Sequence, residues 1–148
     1  MQSAQSALNM PPLATYGTLM RDFEAQEHLG IGDTITFVGR CRLPGVLFDL
    51  GSFPGALPPD DLPADLRASA PETPVVHGEL YRLEDADVLS ILDHYEGYDP
   101  DQPATSLFVR RRISLIEPSD QGAWVYWYNG PVDADTRIPS GDWRNRGG

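Results

Sequence analysis

Residues 91–99 read Ile-Leu-Asp-His-Tyr-Glu-Gly-Tyr-Asp, and this stretch decides how the rest of the chain is read. Ile91, Leu92 and Tyr95 recur at helical spacing, and Gly97 stands where a helix places the residue just past its end. Glu96 is then a carboxylate at the negative end of the helix macrodipole, where a cation would be favoured by about 0.3–1 kcal/mol. Two readings fit this placement. In one, Glu96 is a solvated acid with a small cost and no role. In the other, the helix end and partial burial disfavour its ionised form, raising its pKa from near 4.3 toward the working pH and making it a usable general base.

Working outward, Asp85 to Tyr95 forms one amphipathic helix, with Asp85 as N-cap and Val88, Leu89, Ile91, Leu92 and Tyr95 as its buried stripe. Strands are predicted over 13–16, 34–43, 46–50, 75–83, 107–116 and 123–128, and a short helix over Met20 to His28. Gly39 marks a bulge in the second strand, and Pro44-Gly45 turns that strand into the third as a hairpin. Residues 1–12 read as a disordered lead, leaving 13–148 as a single domain. The stretch 51–74 holds six prolines with little hydrophobic periodicity. It is read as a long loop, with a proline-rich insertion near 56–74 that either lies over a pocket or is disordered. Many strands without regular β-α-β alternation give an α+β fold: an antiparallel or mixed, barrel-like sheet with about two flanking helices.

Composition removes several classes of function. The 22 acidic residues outnumber 11 basic ones, all arginine, for a formal charge of −11. A chain without lysine uses neither a Schiff-base nor a P-loop lysine. Its acidity opposes non-specific nucleic-acid binding, and Arg110, Arg111 and Arg112 alternate along a strand instead of forming one patch. No membrane span or signal peptide is evident, and one cysteine, Cys41, suits a reducing compartment; the reading is cytoplasmic. The GxSxG, HExxH and CxxC motifs and a Gly-rich phosphate loop are absent. A metal site at Asp93, His94 and Glu96 has poor ligand spacing. What remains is Glu96 and the turn Tyr16-Gly17-Thr18-Leu19, whose successive backbone N–H groups can cradle an anion or simply end a strand.

These segments together resemble the gamma-glutamylcyclotransferase-like family, which includes gamma-glutamylamine cyclotransferases and the avirulence-induced-gene proteins of plants. The similarity runs in order through YGTL at 16–19, FVGRCRLPGVLFDLGSFPG at 37–55, GELYRL at 78–83, LDHYEGYD at 92–99, FVRRRISLI at 108–116, AWVYWY at 123–128 and SGDW at 140–143. It implies a small barrel-like α+β fold with a cavity, and conversion of a small-molecule gamma-glutamyl substrate into 5-oxoproline and a free amine without a cofactor. By the same resemblance Glu96 is the catalytic acid/base, and Tyr16, Gly17, Thr18 and Leu19 hold the substrate. The substrate's own α-amine would be the nucleophile, consistent with the missing Ser, Cys and metal motifs. Phe108 departs from the tyrosine that many members carry at the start of the arginine strand, which removes a possible hydroxyl donor. Two other classes remain open on the residues alone. A non-catalytic binding module would have no need of a misplaced acid, and a metal-dependent hydrolase built on His94 would lose activity to a chelator.

Overall fold

The computed structural model describes residues 11–17, 20, 30, 31, 34–69, 74–85 and 87–145, without the side chains of 68, 69 and 145. In chain order these form β1 (Leu13–Thr15), β2 (Ile35–Pro44), β3 (Val46–Asp49), β4 (Pro54–Leu57), α1 (Ala64–Ser69), β5 (Val75–Leu83), α2 (Val88–Glu96), β6 (Phe108–Ser114) and β7 (Gly122–Tyr128). The helix expected over Met20 to His28 lies outside the described residues beyond Met20. No helix among the described residues is long and apolar enough to cross a membrane.

Five strands make a mixed sheet in the order β2-β5-β1-β7-β6, and β3 and β4 pair as a separate hairpin. Only β1 and β7 run parallel; β5 pairs antiparallel with both β1 and β2, and β6 with β7. The sheet is open but curls toward closure. Arg42 on the outer strand β2 donates its N–H to the Glu117 carbonyl at 2.8 Å, and Ile116 donates to the Arg42 carbonyl at 2.9 Å, tying one edge to the segment that follows the other. This is the physical content of the barrel-like expectation.

Strand alternation sorts side chains onto two faces. Trp124, Tyr126 and Tyr128 of β7 join the cluster that includes Leu13, Tyr81, Leu83, Val88, Leu92 and Phe108, packing the sheet against α2. Ala123, Val125 and Trp127 point the other way, into a cluster with Leu43, Leu47, Val76, Ile138 and Trp143. Along β2 this parity breaks: Ile35 and Phe37 belong to the first cluster, but Cys41 and Leu43 to the second. The cause is a bulge between Phe37 and Gly39, as the glycine suggests; the extra residue, Val38, is 57% exposed. One strand therefore contributes to both faces.

The loop expected over 51–74 contains more order than its prolines indicate. Residues 54–57 form β4 in register with β3, Val46 opposite Leu57 and Asp49 opposite Pro54. Residues 64–69 form α1, and Leu62 and Leu66 pack with Val46, Phe48 and Leu57 into a third cluster. Periodicity is hard to see because the apolar positions are divided among a strand, a turn and a six-residue helix, each too short to show a period. Residues 70–73 lie outside the described residues. At the far end, Gly141 has φ +68, and a side chain there would run into the Val75 carbonyl. Glycine lets the tail lie against β5, where His77 donates its N–H to the Gly141 carbonyl at 2.8 Å and Trp143 is buried.

Candidate active site

The α2 helix ends as its sequence predicts. Gly97 adopts the left-handed conformation at φ 70, ψ 35, and Tyr98 donates to the Asp93 carbonyl at 2.8 Å, a closing pattern that glycine permits without strain. Its start differs: the N-cap is Asp87, without a capping bond from its side chain, whereas Asp85 accepts the Asp87 N–H at 2.9 Å. The buried stripe is also rotated from the expected one. Val88, Leu92 and Asp93 are buried, while Ile91 is 43% and Tyr95 38% exposed. A helix at this rotation turns Asp93 and Glu96, three residues apart, toward the sheet.

The reason is a charge pair that periodicity in apolar residues does not reveal. Arg110 on β6 grips Asp93 with both arms, Nε to Oδ1 at 2.8 Å and Nη2 to Oδ2 at 3.2 Å. The Tyr126 hydroxyl on β7 donates to the same Asp93 Oδ1 at 2.6 Å. The Arg110 guanidinium lies 4.5 Å from the Trp124 ring centroid and 5.7 Å from that of Tyr98, so aromatic faces cover the charge where water does not. A buried carboxylate is tolerated only with such compensation, so this network fixes the angle at which α2 presents Glu96.

Glu96 faces a cavity of about 320 Å³. The floor is built from Ala14, Thr15 and Tyr16 at the end of β1, with Phe108 and Tyr126, all buried; Gly17 completes the turn side. Ser52, Phe53 and buried Pro54 of the β3–β4 hairpin also line the cavity, and the exposed lining residues Ser52, Tyr95 and Leu107, with half-buried Phe53, form its rim. Thus the structure brings Glu96, Tyr16 and Gly17 to one cavity. Thr18 and Leu19, the other two residues of the predicted turn, lie outside the described residues.

Burial pushes the Glu96 carboxyl up to about 8, because a low-dielectric surrounding penalises its charged form. Part of the side chain still meets the opening of the cavity, which leaves the acid reachable from outside. The Tyr16 hydroxyl is raised above its ordinary value, first by burial and then by the charge of Glu96. It donates to the Tyr126 carbonyl at 2.6 Å and accepts the Ala56 N–H at 3.2 Å, joining β1 to β7 and to the hairpin that carries Phe53. Tyr16→Phe removes both bonds and leaves two buried backbone groups unpaired. Chemical denaturation should show a loss of about 2–4 kcal/mol. A loss under 0.5 kcal/mol would mean that other groups satisfy them.

Tyr126 is the site residue that the sequence reading passes over. Phe108 lines the cavity without a hydroxyl, and Tyr126 lines it from the adjacent strand β7. Its hydroxyl is raised by burial and then by the hydrogen bond to Asp93, so it remains protonated. With its proton committed to Asp93, its oxygen is left as an acceptor. The i, i+3 spacing of Asp93 and Glu96 is the sequence signal that leads to this arrangement. Among the described residues no three His, Cys, Asp or Glu side chains group as metal ligands.

Comparison with known proteins bears on the family and the fold. A family model described as gamma-glutamyl cyclotransferase, AIG2-like, matches residues 13–145. The chain is 31% identical over 100 residues to the gamma-glutamylcyclotransferase family protein YtfP of Escherichia coli strain K12, covering 68% of each chain. It is 30% identical over the same length to ytfP of Citrobacter rodentium, again covering 68% of each. Among solved structures, an AIG2-like protein from mouse superimposes with a TM-score of 0.54 at 21% identity, over 86% of this chain and 82% of that one. An uncharacterized protein from Pyrococcus horikoshii gives a TM-score of 0.59 at 16% identity, over 90% of both chains. At such identities these two structures speak for the fold alone.

Proposed function

The chain belongs to the gamma-glutamyl cyclotransferase, AIG2-like family, and from that membership we propose that it releases 5-oxoproline and a free amine from a gamma-glutamyl amide, with Glu96 as general acid/base. The observation that carries the proposal is a carboxyl with a pKa of about 8, turned into the same small cavity as Tyr16 and Gly17. In this reaction the substrate's α-amine attacks its γ-carbonyl carbon. A new C–N bond closes the five-membered ring, and the old amide C–N bond breaks. The attacking ammonium gives up two protons in all, one before attack and one as its nitrogen becomes the lactam N–H, and Glu96 relays each in turn to the departing nitrogen, which leaves as an ammonium, so no proton is gained or lost overall.

The cavity supplies the remainder. A glutamyl chain prefers extended forms in water, and a volume near 320 Å³ favours the folded one in which amine and carbonyl approach. Tyr126, whose oxygen is left as an acceptor, can receive an N–H of the attacking amine. The backbone amides of Gly17, Thr18 and Leu19 are assigned the substrate carboxylate or the developing oxyanion, as the resemblance implies. Buried Cys41, pushed up to about 12 by burial and then by Glu79, stays a thiol and takes no part. The lone cysteine suits a reducing compartment and supports a cytoplasmic setting for the reaction.

The test is release of 5-oxoproline from a panel of gamma-glutamyl amines and dipeptides by the purified protein. Its pH dependence is specific. Because the carboxylate form is the base, kcat/KM should rise about tenfold per pH unit below about 8 and level above it. The substrate's ammonium adds a limb of its own, which shifts when the substrate's amine pKa is altered. The limb near pH 8 should remain fixed. A profile that moves entirely with the substrate would remove Glu96 from the proton transfer.

A further inference from the structure

Among the described lining residues, buried side chains make one side of the cavity and exposed ones the other, so a glutamyl unit seated at the buried side projects its amide substituent toward the rim. That rim is apolar and aromatic. Phe53 lies 5.9 Å from Phe108 between ring centroids, and both line the cavity, so aromatic surface runs from buried Phe108 to half-buried Phe53. The same cavity is lined by Leu107, 48% exposed, and Tyr95, 38% exposed. Ile91, one helical turn before Tyr95 and 43% exposed, extends the same surface along α2. These are three of the five large apolar residues left exposed among those described, and two of them, Tyr95 and Leu107, line the cavity. Contiguous exposed apolar surface of this kind marks a contact surface, whereas single exposed residues do not.

Charge points the same way. Among the described residues lining the cavity, Glu96 carries the one carboxyl and no cationic side chain is present. A leaving group that carries its own carboxylate would stand near Glu96 without a counter-charge.

We propose that the amine released by this enzyme is a compact apolar one, an alkyl- or arylamine, whose hydrocarbon part lies against Phe53, Tyr95 and Leu107. This rests on the cyclotransferase reading of the same cavity. The experiment compares four amides of the gamma-glutamyl group: butylamide and benzylamide against gamma-glutamylglycine and gamma-glutamyl-ε-lysine. 5-Oxoproline release gives kcat/KM, and calorimetry with the Glu96→Gln protein gives affinity without turnover.

The expected result is a preference of at least tenfold for both apolar amides, the scale set by a methylene or two in an apolar pocket. Leu107→Arg, at an exposed position outside the core clusters, should lower kcat/KM for the butylamide about tenfold and raise it for gamma-glutamylglycine. Equal or reversed preference among active substrates would overturn the proposal and leave the cyclotransferase reading standing. Tighter binding of the apolar amides with no 5-oxoproline from any of them would do the opposite. Neither turnover nor selective binding would remove both.

Discussion

Glu96→Gln should lower kcat by about 10²–10⁴-fold, the usual contribution of a positioned general acid/base, with KM changed far less. Glutamine keeps the shape and loses the ability to carry a proton. The substitution has a second, independent signature in stability. In the folded chain the carboxyl titrates at about 8, against about 4.5 when unfolded, so between those values the native state holds a proton that the unfolded chain has released. The native state's advantage from this group is complete below about 4.5 and is lost as pH rises through 8. An amide does not ionise. The variant should therefore unfold with a weaker loss of stability on going from pH 5 to pH 9, and at pH 9 it should exceed the parent by roughly 2–4 kcal/mol, the shift being discounted for the side chain's contact with solvent.

Loss of turnover together with a gain in alkaline stability is a combination that simple misfolding does not produce. Denaturant unfolding at the two pH values, alongside 5-oxoproline assays, measures both. A variant with undiminished turnover would end the case for Glu96, and one with unchanged pH dependence of unfolding would end the case for its raised pKa.

Asp93→Ala should produce the largest stability loss. It strips Arg110 of a two-armed partner and Tyr126 of its acceptor, in a place where the two charged side chains are only 16% and 11% exposed. Removing one member of a buried ion pair strands the other, at a cost of about 3–5 kcal/mol. For a domain of this size that corresponds to a fall in Tm of roughly 10 °C. The companion variant Arg110→Met should also destabilise. The double variant Asp93→Leu with Arg110→Met should lose much less than the sum, because neither charge is then left alone. Additive losses would show that the pair does not act as a unit. Turnover by Asp93→Ala under folding conditions should fall as well, since both the pitch of α2 and the Tyr126 hydroxyl depend on this carboxylate.

The network also shows where reading the sequence succeeded and where it stopped. Strands were legible because period-two alternation is a local property: 75–83 was placed to the residue, and the strand before Pro44 with its bulge near Gly39 nearly so. Gly97 identified the helix end, since only a residue without a side chain enters the left-handed region cheaply. The helix face was misjudged. Ile91 and Tyr95 were assigned to the core by their hydrophobicity, yet both face outward. Arg110 lies 17 residues away from Asp93, on a different element, and its pull outweighs a preference that hydrophobicity alone would set. The short strand 54–57 and helix 64–69 were read as loop because each is shorter than the period needed to announce it.

What the sequence determined by itself is the order of elements, the family to which they belong and the odd acid closing a helix, all of them written in spacing and local chemistry. What only the tertiary structure decided is which groups meet that acid. The cavity is assembled from the ends of β1, β6 and α2, from Tyr126 of β7 and from one hairpin, segments far apart along the chain. The pKa of Glu96 depends on how completely they exclude water from one carboxyl. Desolvation is a property of a surrounded volume, and no local run of residues encodes it.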